Sequence, residues 1–201
     1  MEELNRTLFL WINATPESPA WLISLATFIA RDLIVIAPLA VMALWLWGSD
    51  QQLKTQRTLV LKTGIALAYA LTISWCIGNL FPHARPFVVG LGHQFLSHAP
   101  DDSYPSDHGT AIFTFAIAFL CWHRVWSGAI LMGISIAIAW SRIYLGVHWP
   151  ADMVGGLLVG ALSCLFAQVA WHFCGRRLLQ NISSFYRLVF ALPIRKGWVR
   201  N

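Results

Sequence analysis

Long apolar stretches, each close to the length a bilayer demands of a helix, recur along this 201-residue chain and constrain its fold more than any other feature. A hydrocarbon core asks for about 20 apolar residues per crossing helix. Five stretches answer that demand, at roughly 28–47, 58–81, 108–122, 125–141 and 152–174. Hydrophobic residues make up 57% of the chain and charged residues 11%. A water-soluble domain of this size would leave much of that apolar surface wet, so lipid is the expected solvent. The expected fold is all-α: a polytopic membrane helix bundle of about five transmembrane helices. Residues 4–13 are too short to cross, and the spacing of Leu4, Leu8, Trp11 and Ile12 suits a helix lying at the interface.

The chain reads as a single integral membrane domain over 1–201, with an interfacial segment at 1–20 and a tail at 175–201. No removable signal peptide is expected, because Met-Glu-Glu-Leu-Asn-Arg lacks a basic start. The four cysteines lie within apolar runs without metal-knuckle spacing and read as packing residues. Lys62, near the start of the second span, is expected to snorkel towards the interface.

Five spans put the termini on opposite sides. One side carries Lys54, Arg57, Lys62, Arg124, Arg176, Arg177, Arg187, Arg195, Lys196 and Arg200; the other carries Arg6, Arg31, Arg85 and Arg142. This bias places the first side, with the C-terminus, in the cytoplasm. The basic net charge of +5 therefore reports orientation and gives no ground for a nucleic-acid partner. Nothing in the sequence indicates an oligomeric state.

The chemistry-bearing residues gather on the outward side, in the 82–107 and 142–151 loops. The first holds Phe81-Pro82-His83-Ala84-Arg85-Pro86 and Tyr104-Pro105-Ser106-Asp107-His108; the second runs from Ser141-Arg142 to His148-Trp149-Pro150-Ala151-Asp152. Two arginines offer forked cationic donors for phosphate oxygens. Ser106 or Asp107 can cap the third span, and Pro150 suits the first turn of the fifth. Two helix N-termini would then face one pocket and favour an anion there. His148 and Asp152, four apart, would share a face if the helix starts by His148, and the carboxylate could hold one ring nitrogen and free the other. His108 supplies a second imidazole for proton transfer. Taken singly, each piece fits a blander role: Arg85 as an interfacial anchor, Ser106-Asp107 as a plain cap, Asp101-Asp102 as a solvated loop, and His83, His93 and His98 as surface histidines. Three clusters on one side point to phosphate chemistry.

Arg85-Pro86, the Pro105-Ser106-Asp107-His108 run and the Ser-Arg-x5-His-x3-Asp string from Ser141 to Asp152 resemble the tripartite signature of the type 2 phosphatidic acid phosphatase superfamily. Within it the chain is similar to the bacterial undecaprenyl-pyrophosphate phosphatases of the bacitracin-resistance type, a likeness extending to Phe81-Pro82-His83 and the 191–200 tail. The resemblance implies a lipid phosphatase of the bacterial inner membrane. It would cleave a polyprenyl diphosphate at the periplasmic face without a metal or other cofactor, recycling the lipid carrier for cell-wall synthesis. It implies that His148 attacks phosphorus, Asp152 orients His148, and His108 protonates the leaving oxygen and later activates water. Arg85, Arg142, Ser106 and amides near Asp107 would bind the phosphoryl group. Two positions depart from the pattern. Gly78 stands where the superfamily has Lys, leaving Asn79 or His83 as substitutes, and Asp107 stands where Gly is usual. Two alternatives remain open: a phosphatase for phosphatidate or phosphatidylglycerol phosphate, and a non-catalytic anion-binding transporter or assembly factor.

Overall fold

The computed structural model describes residues 2–48 and 51–201, so Ser49 and Asp50 of the 48–57 connection lie outside it. Every regular element among the described residues is helical: α1 (Glu2–Ile12), α2 (Ala20–Arg31), α3 (Ile36–Trp47), α4 (Leu53–Leu80), α5 (Asp107–Trp122), α6 (Val125–Tyr144), α7 (Pro150–Val189) and α8 (Ala191–Arg195). Four helical stretches are long and apolar enough to cross a membrane, namely Ala20–Trp47, Leu53–Leu80, Val125–Tyr144 and Pro150–Val189. The 16-residue α5 is apolar but shorter. It packs against α4, α6 and α7 and forms the centre of the bundle.

Small residues set how closely α5 and α7 approach. A Cβ added at Gly156 would lie 2.7 Å from the Thr110 backbone nitrogen, and one at Gly160 would lie 3.0 Å from that of Thr114. Two glycines one turn apart thus let backbone meet backbone, which brings the N-termini of the two helices side by side. Around this seam lie Phe113 with Met153, Ile112 with Ile138, and Ala118 with Cys164 and Ala167.

The first apolar stretch is bent. α2 ends at Arg31, a 3-10 turn covers Leu33–Val35, and α3 then resumes. Both ends of α2 stay near the end of α6: the Ala14 amide donates to the Tyr144 carbonyl, and the Ala30 carbonyl accepts from Arg142. Ala26 and Ala30 pack on Tyr144 and Leu145 between them. α2 therefore packs on the end of α6, and α3 packs beside α4. Trp21, Leu25 and Phe28 of α2, with Leu4, Leu8 and Trp11 of α1, turn exposed apolar faces outward. That distribution suits helix faces turned towards lipid.

The opposite end differs from the sequence expectation in three respects. α7 continues unbroken to Val189, and the chain beyond α8 folds back. The Arg200 amide donates to the Leu46 carbonyl, the Trp47 indole to the Trp198 carbonyl, and Tyr186 to the Arg200 carbonyl. Lys62 does not snorkel. It is buried, donates to Gln168 and sits 4.0 Å from the centre of the Trp122 ring. A polar side chain and a π face replace the water that a snorkelling lysine would seek.

Candidate active site

The site forms where the C-terminus of α6 and the N-termini of α5 and α7 converge. After Tyr144 the chain turns at Gly146 (φ +79°), where a Cβ would fall 2.1 Å from the His93 carbonyl oxygen. Only glycine accepts both this left-handed conformation and this approach. The turn delivers His148 to the core, where it is 2% exposed.

The two ring nitrogens of His148 have different surroundings. Nδ1 lies 3.1 Å from Asp152 Oδ2. The same oxygen accepts from the Trp149 amide at 2.8 Å and from the Ser103 hydroxyl. A carboxylate receiving those donors takes a third from Nδ1–H, which leaves Nε2 with its lone pair. Around Nε2 stand Arg85 Nη1 at 3.0 Å, Ser106 Oγ at 3.3 Å and Arg142 Nη2 at 3.4 Å. A nucleophilic nitrogen is thus ringed by the donors that would bind its electrophile. Burial, with Arg142 and then Arg85 close by, holds the His148 pKa well below the ordinary imidazole value. The ring is neutral and able to attack at neutral pH.

α7 begins at Pro150, so His148 precedes the helix and does not share a face with Asp152 as the sequence suggested. The pair forms because Asp152, at the third helical position, reaches back to the Trp149 amide in a capping interaction. One carboxylate caps the helix and orients the histidine.

The two arginines are held differently. Arg85 Nε donates to the Asp101 carboxylate at 2.8 Å, Nη1 to the Val147 carbonyl and Nη2 to the Asp102 carbonyl. Its orientation is fixed by loop atoms on three sides. Arg142 donates weakly to the Ala30 carbonyl, at 3.4 Å, and its buried Nε has no hydrogen-bond partner among the described residues. An unpartnered buried donor of this kind is costly unless an anion satisfies it. Arg142 also lines a cavity of about 300 Å³ with Arg31, Ser97, His98 and His108, which opens the cluster to a ligand.

Ser106 caps α5, its hydroxyl accepting from the Gly109 amide at 3.2 Å. Asp107 is solvent-exposed, and its carboxylate accepts from Ser74 of α4 at 2.8 Å. His108 is half-buried and lines the cavity. Asn79 and His83 are not brought to the cluster. The Asn79 amide donates to the Trp75 carbonyl of its own helix, and the exposed His83 ring packs edge-on to Trp149. A Cβ at Gly78, where the superfamily lysine would stand, lies 3.8 Å from the Asp102 Cβ.

Three participants were not singled out from sequence. Ser103 is fully buried and bridges Asp152 and His148. His98 stacks edge-on to His148 with centroids 6.0 Å apart, and burial pushes its pKa below the ordinary value. Asp101, read as loop solvent, stays exposed yet pairs with Arg85. The signal available for Ser103 was its place three residues before the Ser106 cap. Its partner lies 49 residues away.

With this geometry in view, the relatives can be set beside it. The PAP2 superfamily model matches residues 57–176, the segment from α4 to most of α7. The "Putative undecaprenyl-diphosphatase YbjG" of Escherichia coli (strain K12) is 61% identical over the full length of both chains. "Undecaprenyl-diphosphatase BcrC" of Bacillus subtilis (strain 168) is 33% identical, over 79% of this chain and 80% of the relative. Among solved structures, LpxE of Aquifex aeolicus superposes with a TM-score of 0.66 at 23% identity, covering 82% of this chain and 94% of that one, a likeness of fold. The chain belongs to the PAP2 superfamily.

Proposed function

We propose that this protein hydrolyses undecaprenyl diphosphate to undecaprenyl phosphate and inorganic phosphate at the periplasmic face of the bacterial inner membrane. The observation that carries the reading is the environment of His148: Nδ1 held by Asp152, Nε2 ringed by Arg85, Ser106 and Arg142. The two undecaprenyl-diphosphatase relatives support the substrate.

In this mechanism Nε2 attacks the terminal phosphorus as the bridging P–O bond breaks, giving a phosphohistidine and the lipid monophosphate. Asp152 stabilises the imidazolium that develops. His108 gives a proton to the leaving oxygen, then takes one from the water that cleaves the P–N bond. Arg85, Arg142 and Ser106 hold the transferring oxygens where charge develops, so fixed donors supply the stabilisation. The positive-inside bias supports an outward site, since the basic residues concentrate at the other end. The product rejoins the carrier pool for cell-wall synthesis, and overproduction is expected to raise bacitracin resistance.

The test is phosphate release by purified protein across undecaprenyl diphosphate, phosphatidate and phosphatidylglycerol phosphate. The diphosphate should be preferred, and turnover should persist in chelator. Preference for either glycerolipid would overturn the substrate. Absence of release from all three would overturn the enzyme reading in favour of an anion-binding protein.

A further inference from the structure

At the end of the bundle remote from His148, a cavity of about 460 Å³ opens between the N-terminus of α4 and the second half of α7. Lys54 and Arg57 line it from α4, Gln180, Ser183, Ser184 and Arg187 from α7, and Asn201, the last residue, from the tail. No Asp or Glu side chain lies among the described lining residues, so the terminal carboxylate of Asn201 is the one anionic group they contain. Three cations against one carboxylate leave an excess of positive charge, which a bound anion relieves.

Arg57 carries the second, independent observation. It is 4% exposed, and its Nε has no hydrogen-bond partner among the described residues. Its guanidinium lies 5.2 Å from the centre of the Trp45 ring and 4.8 Å from that of Tyr186. Its Nη2 donates to the Arg200 carbonyl. The rings and the carbonyl fix the guanidinium in place on the cavity wall. A pre-oriented guanidinium is suited to phosphoryl oxygens. The amide of Gln180 and the hydroxyls of Ser183 and Ser184 supply neutral donors on the opposite wall.

We propose that this cavity is a second phosphate-recognising site, distinct from the catalytic one. It takes the phosphoryl group of an anionic phospholipid headgroup from the adjacent leaflet, or a free phosphate. The volume lies within the range of about 300–1,000 Å³ typical of small-molecule sites. Basic residues at a membrane boundary attract anionic lipid in any case; the cavity and the fixed Arg57 guanidinium add a defined place for one headgroup.

The experiment uses the full-length protein and the double variant Lys54→Gln/Arg187→Gln, since both side chains are exposed and neither supports the core. Arg57→Gln is unsuitable as the main variant because Arg57 also anchors the tail. In one arm, protein is released from nanodiscs of phosphatidylglycerol and phosphatidylcholine, and retained lipid is counted by native mass spectrometry. In the other, inorganic phosphate is titrated calorimetrically in phosphatidylcholine nanodiscs. Loss of two charge-assisted contacts should weaken binding by about tenfold or more. A selective drop in retained phosphatidylglycerol assigns the site to lipid. A second phosphate equivalent, present in the parent and lost in the variant, assigns it to free phosphate. Equal retention and equal stoichiometry in both proteins would overturn the proposal. Turnover in phosphatidylcholine nanodiscs should be the same for both proteins, which separates this outcome from any failure of the catalytic reading.

Discussion

Both ends of this bundle bury cations, and the means of holding them differ. At the far end Arg57 lies against Trp45 and Tyr186, and Lys62 against Trp122. At the other end Arg85 is gripped by carbonyls and a carboxylate from two loops, and Arg142 touches a single carbonyl. Aromatic faces cover a cation without directing its N–H bonds at one point. Loop oxygens direct them, and here they converge on Nε2 of His148. A buried imidazole among oriented cations is what one end has and the other lacks among the described residues. Charge alone suits binding; charge focused on a lone pair is also suited to nucleophilic chemistry.

Removing the nucleophile should abolish that distinction. His148→Ala is expected to lower kcat on the order of 10⁶-fold in phosphate-release assays, by analogy with loss of a nucleophile from a covalent mechanism. A variant within tenfold of the parent would refute the assignment. Next in size is Arg142→Gln, which removes an oriented donor and should cost about 10²–10³ in kcat.

The same variant tests the electrostatics. His148 titrates well below the ordinary imidazole value of about 6.5, owing first to burial and then to Arg142 and Arg85. A base with a lowered pKa stays neutral as pH falls through 6.5, so the acidic limb of kcat/KM should lie below that value. Arg142→Gln removes one opposing charge and should move the limb upward. A parent limb centred at or above 6.5 would contradict the geometry. The same shift has a stability consequence. Below pH 6.5 the unfolded chain binds a proton that folded His148 refuses, so stability should decrease as pH falls through that region.

Smaller effects sharpen the picture. Ser103 acts through Asp152 and His148, so Ser103→Ala should reduce kcat by about 10–100-fold with KM little changed, and Ser103→Thr should restore most of it. A KM effect alone would make Ser103 merely structural. Smallest of all, Asn79→Ala and His83→Ala should each change turnover by less than about twofold, because neither side chain reaches the cluster.

These predictions also show what was legible beforehand. The apolar stretches and the Ser141–Asp152 string could be read because span length and motif spacing are local properties, although the helix face expected for His148 and Asp152 gives way to a cap. The helical bundle and the gathering of His148, Asp152, Arg85, Arg142 and Ser106 followed from them. The 3-10 interruption between α2 and α3 was not legible. Arg31-Asp32 reads equally well as a span end, and the packing of Ala26 and Ala30 on Tyr144 and Leu145 is a long-range contact. Asn13 was likewise opaque: it bonds the His93 backbone and the Tyr144 carbonyl, 80 and 131 residues away, and so ties the end of α1 to the 82–107 loop and the end of α6. Ser103 and Asp101 acquire their meaning from partners far along the chain. Long-range polar contacts leave no periodic trace.

The brevity of α5 has a consequence for how a lipid meets the enzyme. Sixteen residues rise about 24 Å, some 6 Å less than a typical hydrocarbon core. The shortfall is met by protein and not by lipid, because α4, α6 and α7 enclose α5 and most of its residues are buried. Its tip carries Ser106 to the level where α6 ends and α7 begins. A diphosphate whose tail stays in the bilayer would then meet the arginines at the rim of the bundle, where a wholly enclosed helix has its one open end.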